Sequence, residues 1–441
     1  MSIAAPITSP TGPRLRRAVA GSVAGKSAEM VTLVLLATVV PRALGPTAYG
    51  RFAVPLTVVT LGSLALTLGG PTLMARFVPA APPGERVALA RALGARLARG
   101  RAVQLAVMGV VTAAVVAVAP DRLPPLATTY VALALALNVA ASLLLQTALG
   151  LGRTGAWSTR WPLQNAVLIA SVLVLYDAAG DIGAVAATLV AAGAAVVFGL
   201  AVTVPALRPA GPPVPVPAGA IRFGALQATG AALVQVAQRG GVLAVAVLAS
   251  DATETGFAAL AIGIALGATY AVLQAFTVAL PHLAERADAP VDDAEAVLRR
   301  MAGGLLVVLV PALVIGALLL HRLVPVVFGD DFRAADAAFG PALALVALAP
   351  LNALYVQASA LRMRAEASAL AGGVAAGAFL LVAVVAVPAW GGAGGTAAAL
   401  AGAVGGAAAS TRLLPGAAGG RVLAASTAGA VLVLLVAVLA T

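Results

Sequence analysis

The stretch GSVAGKSAEMVTLVLLATVV (21–40) sets two charges, Lys26 and Glu29, inside a run otherwise apolar enough to lie in a membrane. A charged side chain at the bilayer centre costs about 2.5–3.5 kcal/mol on the insertion scale. Lys26 is also the single lysine among 27 basic side chains. Ser22, Lys26 and Glu29 are spaced four and three apart and therefore share one helix face. A second cation, Arg239, lies deep in another apolar run, with Gln235 and Gln238 beside it and Gln227 further back. Thr57, Thr60, Ser63 and Thr67 form a polar stripe at helical spacing in a third run. Hydrocarbon satisfies none of these groups, so the pattern points to a wet cavity between helices. For Lys26 a second reading stands beside this one. It lies nine residues beyond Arg17, about 13 Å along a helix axis, where a long stem can snorkel to the headgroups. The cations outnumber Glu29, which favours an anionic ligand.

The elements that must position these groups follow from composition. Of 441 residues, 61% are hydrophobic and 10% charged, with a mean hydropathy of +1.04. Ordinary soluble domains carry about 25% charged residues, so a soluble fold is excluded. Stretches of 18 or more nearly uncharged residues recur, each able to cross about 30 Å of hydrocarbon as a helix. Alternating ten-residue strands are missing, which argues against a transmembrane β-barrel. The expected fold is an all-α polytopic membrane protein. Cysteine is absent, which rules out disulfides and thiolate metal sites. No removable signal peptide is expected in residues 1–17.

Thirteen spans are expected: 18–40, 52–74, 102–119, 126–148, 161–178, 183–206, 223–249, 257–281, 301–320, 338–360, 368–388, 393–411 and 422–440. With the N-terminus in the cytoplasm, 20 basic residues fall inside and five outside. That bias orients the chain by the positive-inside rule. It also assigns the net charge of +11 to the membrane rather than to nucleic acid. The count places Arg101 and Arg160 in cytoplasmic connections. The longest polar connections are 75–101, 207–222 and 282–300. RPAGPPVPVPAGA (208–220) reads as a semi-rigid extended linker. It divides residues 1–207, an N-terminal six-helix bundle, from a second bundle over 221–413, and 414–441 adds one further span.

An internal repeat supports two pseudo-symmetric bundles. TAYGRFAV (47–54) and TETGFAAL (253–260) pair Thr47 with Thr253, Gly50 with Gly256 and Ala53 with Ala259. LLQTALGLGR (144–153) and YVQASALRMR (355–364) pair Gln146 with Gln357 and Arg153 with Arg364. Six spans per repeat insert both halves in the same sense, a plan that puts a transport site between the halves.

The sharpest local signal is PRALGPTAYGRFAV (41–54), in which Gly45, Pro46 and Gly50 permit a tight re-entry between the first two spans. In Arg42, Leu44, Gly45, Pro46, Tyr49 and Gly50 the chain resembles the first-hairpin signature of polysaccharide-biosynthesis flippases, within the multidrug/oligosaccharidyl-lipid/polysaccharide exporter superfamily. Residues 221–263 resemble the start of that family's second half. VALPHLAE (278–285), VPVVFGDDFRAADAA (324–338) and VPAWGGAGGTAAAL (387–400) are similar to its later landmarks, in order. The resemblance covers about residues 18–411. Two features depart from it: the family has twelve or fourteen spans, and Arg239 is followed by Gly240 where an acidic residue is common.

The resemblance implies an alternating-access transporter in the inner (cytoplasmic) membrane that flips isoprenoid-diphosphate-linked oligosaccharide to the outer leaflet. Lys26 and Arg239 would hold the diphosphate, Gln235 and Gln238 would bond sugar hydroxyls, and Glu29 and Thr60 would complete the site. The implied partners are the lipid-linked saccharide, membrane lipid, and a polysaccharide polymerase or glycosyltransferase. A multidrug exporter of the same fold is one rival, and it would prefer an acidic cavity; a membrane polysaccharide polymerase or glycosyltransferase is the other, and it would need sizeable loops with catalytic residues, which this chain does not offer. Nothing suggests an enzyme, a cofactor or a metal. His282 and His321 fall near opposite membrane faces, and no phosphate loop or metalloprotease motif occurs. GGAGG (391–395) reads as a turn between spans.

Overall fold

A computed structural model describes residues 13–67, 69–118, 125–208, 212–249, 251–284, 291–362 and 364–440, apart from certain side chains within helices, those of Ser22, Lys26 and Gln227 among them. The described residues are helical and contain no strand. The order is α1 (Pro13–Ala65), α2 (Gly70–Ala80), α3 (Arg86–Val118), α4 (Pro125–Gly150), α5 (Thr154–Leu207), α6 (Ala220–Leu248), α7 (Ala252–Ala284) and α8 (Val291–Phe328). A 3₁₀ turn (Asp330–Ala335) leads into α9 (Asp336–Ala347), α10 (Ala349–Leu361), α11 (Ala365–Leu413) and α12 (Gly419–Ala440). Among the described residues eight helices are long and apolar enough to cross a membrane, or nine if the bent pair Asp330–Ala347 and Ala349–Ser359 counts as one.

Eleven of the thirteen expected segments lie, within the described residues and to within a residue at their ends, on a single helix each, because long apolar runs in lipid must satisfy their backbone internally; 338–360 is split between α9 and α10 at a 41° bend. Three helices carry two segments each, divided at Gly45 (φ 73°), Gly180 (φ 59°) and Gly391 (φ 52°). At the last two the chain folds back on itself. Gly183 lies against the Leu175 carbonyl and Gly394 against that of Ala386. The second expected span, 52–74, is corrected: helix stops at Ala65 and resumes at Gly70, with Gly69 left-handed (φ 70°).

The repeat is visible in side-chain detail. Arg153 Nη1 donates to the Val202 carbonyl at 3.1 Å, and Arg364 Nη1 donates to that of Leu413 at 2.8 Å. Donors and acceptors alike are displaced by the same interval, as are Gly180 and Gly391. The fold is therefore two pseudo-symmetric helical bundles, with α12 added against α8 and α9. Span two breaks the symmetry, since its counterpart α7 runs unbroken from Ala252 to Ala284.

The proline-rich segment does not stand free. Val214 and Val216 pack on the cluster that holds Leu73, Leu89, Leu93 and Leu97 of α2 and α3. At the same end of the second half, Glu295 is 1% exposed and accepts from Arg362 Nε at 2.6 Å and Nη2 at 2.8 Å. Arg362 Nη1 continues to the Pro415 carbonyl, and Arg299 reaches those of Gly416 and Ala417. The turn into α12 is thus tied down by a buried carboxylate with a bidentate arginine partner.

Candidate functional site

Helix α6 carries the deep cation. Gln235 and Arg239 are one turn apart, and Arg239 Nε donates to Gln235 Oε1 at 3.0 Å. Gln235 Nε2 in turn donates to Gln238 Oε1 at 3.3 Å. All three side chains are half-buried. The glutamine occupies the Nε edge and orients the guanidinium. Both Nη groups of Arg239 have no hydrogen-bond partner among the described residues. A half-buried guanidinium held by one edge offers its remaining donors as a fork for an oxyanion.

Helix α1 packs on α6 and α7, so its polar residues are the natural complement. The Lys26 side chain lies outside the described part. Glu29 differs from its expected place: it is 5% exposed and turned toward α5, not into an open cavity. Gly25 packs against Ser158, and Asn165 Nδ2 donates to Thr32 Oγ1 at 3.3 Å, which sets the first part of α1 parallel to the first part of α5. Glu29 falls between these contacts, close enough to act electrostatically on Arg160.

Arg160 and Arg101, expected in cytoplasmic connections, are each 2% exposed. Arg101 Nη2 donates to the Thr67 carbonyl at 2.6 Å and to Gln146 Oε1 at 2.7 Å, and its Nη1 to the Val139 carbonyl at 3.3 Å. Arg160 Nη2 donates to the next carbonyl back, that of Asn138, at 3.4 Å and lies 4.4 Å over the Trp161 ring. Gln164 Nε2 donates to Asn138 Oδ1 at 2.8 Å. Sequence reasoning missed this network because it counted arginines without asking who would satisfy Asn138, Gln146, Gln164 and Asn165 inside apolar spans. Those four residues were the available signal.

The hydroxyl stripe also reads differently. Thr60 Oγ1 donates to the Leu56 carbonyl at 2.7 Å and Thr67 Oγ1 to that of Leu64 at 2.9 Å. Threonine that bonds back into its own helix needs no water, so Thr60 by itself does not require a wet cavity. Ser63 is the exception, its buried hydroxyl having no partner among the described residues.

The hairpin residues meet at one end of the molecule. Gly45 takes the left-handed φ that side-chained residues avoid, and Pro46 opens the next helical segment. Gly50 is helical, and its need is space: a Cβ there would sit 1.8 Å from the Ala252 carbonyl oxygen. Gly256, its repeat mate, would bring a Cβ to 2.1 Å from the Pro46 oxygen. Thr47 and Thr253 share a hydrogen bond of 2.8 Å between their hydroxyls. Tyr49 packs edge-on to Phe332, which also meets Phe257, and Arg42 Nη1 donates to the Val327 carbonyl at 3.4 Å. The residues paired by the repeat therefore touch each other, and the two halves are joined here across their pseudo-twofold axis. A cleft of about 520 Å³ beside this end is bounded by Ala43, Leu44, Leu173, Tyr176, Asp177 and Gly180, well apart in sequence from the Arg239 cluster.

No family model matches the sequence, and no curated sequence matches it. Solved structures do. The chain is similar to the lipid II flippase MurJ in an inward closed conformation, with TM-score 0.56, 10% identity and 96% of each chain covered. It is similar to a Vibrio cholerae MATE transporter, with TM-score 0.55, 13% identity, 90% of this chain and 94% of that one. It is also similar to an inward-facing multidrug resistance MATE transporter of the MOP superfamily, with TM-score 0.53, 17% identity, 92% of this chain and 98% of that one. At such identities the likeness is one of architecture: this chain has the fold of the MOP-superfamily transporters.

Proposed function

We propose that the chain is an alternating-access transporter that flips isoprenoid-diphosphate-linked oligosaccharide from the cytoplasmic to the outer leaflet of the inner membrane. The observation that carries this reading is Arg239, half-buried, oriented through Nε by Gln235 and open at both Nη groups among the described residues. A diphosphate matches such a fork, and Gln238 lies within one turn to bond a sugar hydroxyl. Lys26, on the helix that packs against α6, supplies the second cation in this reading. A cationic drug would need a carboxylate in the same place; Glu29 is buried against α5 instead. A glycosyltransferase and a polysaccharide polymerase are the partners that would supply and consume such a substrate.

The test uses labelled lipid-linked saccharide in vesicles, read by leaflet. Arg239→Ala is expected to lower flipping at least tenfold at normal membrane abundance, with substrate accumulating on the cytoplasmic side. Arg239→Lys keeps the charge but loses the fork and should retain a fraction of the rate. Lys26→Ala should impair flipping as well, and wild-type rates in that variant would assign Lys26 to snorkelling. Undiminished flipping by Arg239→Ala would overturn the reading, and drug efflux without flipping would favour the multidrug exporter.

Orientation is part of the same proposal. Reporter fusions should place the N-terminus and the 208–220 segment in the cytoplasm and Thr441 outside. A cytoplasmic signal after Thr441 would remove one of the thirteen spans.

A further inference from the structure

Equivalent connections in the two halves carry opposite charge. Residues 70–101 hold six arginines and one acid, Glu85, whereas the corresponding 285–300 hold three arginines and five acids. A signal for membrane orientation alone would load both connections alike. Something particular to the first half must therefore use the excess.

The structure gathers that excess onto one surface. On α3, Arg91, Arg96 and Arg99 are exposed, while Leu93, Leu97 and Arg101 are buried on the other side of the helix. Arg91 donates to the Leu207 carbonyl, which joins the end of α5 to this surface. Val214, Val216 and Ile221 pack on the apolar cluster beneath α3, so exposed Arg208 and Arg222 flank the same shelf. Its height also follows from the helix. Residues 99–118 suffice to cross about 30 Å of hydrocarbon at 1.5 Å per residue. The turns from Arg91 to Arg99 then occupy roughly the next 12 Å, the depth of the headgroup layer and the water just beyond it.

We infer that the arginine shelf of α3, with Arg208 and Arg222, is a docking surface for the phosphate groups of anionic phospholipids in the surrounding leaflet. Guanidinium groups at headgroup height pair with phosphate through two parallel hydrogen bonds, and basic residues near an anionic surface each add to binding. The helix that carries them continues as the apolar run 102–118, which the sequence reading places in the bilayer, so lipid reaches them without a protein having to approach from solution. The inference goes beyond the proposed transport and holds whatever the cleft carries.

The test compares binding of phosphatidylglycerol with that of phosphatidylcholine to the full-length protein in detergent micelles. The parent should prefer phosphatidylglycerol, and the preference should fall as salt rises. Arg91→Gln/Arg96→Gln/Arg99→Gln should lower phosphatidylglycerol affinity at least tenfold. Arg96→Gln/Arg99→Gln, which keeps the Arg91–Leu207 tie, should give an intermediate loss and guards against a folding defect. Arg412→Gln/Arg421→Gln, both exposed in the second half, should change it less than twofold. Parent-like binding by the triple variant, or equal losses at the second-half control, would sink the inference. So would a shelf that binds polyglutamate and shows no lipid preference, which would point to an acidic protein.

Discussion

Oxidation of a Thr47→Cys/Thr253→Cys variant should form one intramolecular cross-link in high yield and stop transport completely, with reductant restoring it. The two hydroxyl oxygens are 2.8 Å apart, so the sulfurs that replace them need only a small shift to bond. The chain has no cysteine of its own, so any disulfide found is the engineered one. Complete arrest follows if this end must part to release cargo. The contact joins the halves along their pseudo-twofold axis, and alternating access moves one half against the other. Transport at the parent rate by fully cross-linked protein would show that Thr47 and Thr253 stay together throughout the cycle.

The neighbouring glycines give the converse experiment. A methyl at Gly50 would meet backbone at 1.8 Å, and one at Gly256 would meet it at 2.1 Å. Neither obstacle is a movable side-chain tip, so Gly50→Ala or Gly256→Ala must push the halves apart. Either change, added to the cysteine pair, should cut the cross-linking rate sharply while the protein still inserts.

This end of the molecule was legible in the sequence for a reason that extends beyond it. A left-handed φ at Gly45 and a backbone contact at Gly50 admit almost no residue but glycine, so the constraint is written in residue type. The same holds for Thr47 and Thr253, whose positions in the repeat already suggested equivalence. The span pattern was legible because lipid demands unbroken apolar helix. The break at 66–69 was not, because SLALTLGGPTL carries no charge and glycine and proline are ordinary in membrane helices. What holds the break is a partner 34 residues away: the Arg101 guanidinium on the Thr67 carbonyl. Arginine near a span end reads as an orientation signal. Only three-dimensional placement shows that Arg101 and Arg160 face inward, and hydropathy cannot separate the two cases. Glu29 was misplaced for the same reason, since helical spacing gives the face but not the helix it meets.

Arg101 therefore carries the second large prediction. Replacement by methionine keeps much of the apolar stem and removes every donor, leaving Gln146 Oε1 buried without a partner and the Thr67 carbonyl with the Gly70 amide alone. A buried acceptor so orphaned costs about 1–3 kcal/mol, so Arg101→Met should lower the melting temperature clearly. Its effect on transport should exceed that of Arg96→Gln, an exposed change on the same helix. The reason is local. Span two leaves helical geometry between Ala65 and Gly70, and Arg101 adds a side-chain donor to the Thr67 carbonyl, which also accepts from the Gly70 amide at 2.9 Å. Gly69, within the break, touches the Gly224 backbone of α6, so a shift there reaches the helix that holds Arg239. Arg101→Met/Gln146→Leu replaces both partners with apolar groups and should recover part of the stability. It should not recover transport, because the guanidinium that ties the Thr67 carbonyl to α3 is still missing and the break is no longer fixed. Recovery of transport together with stability would reduce Arg101 to a packing residue; loss of transport in a stable double variant would make the clamped break part of the cycle.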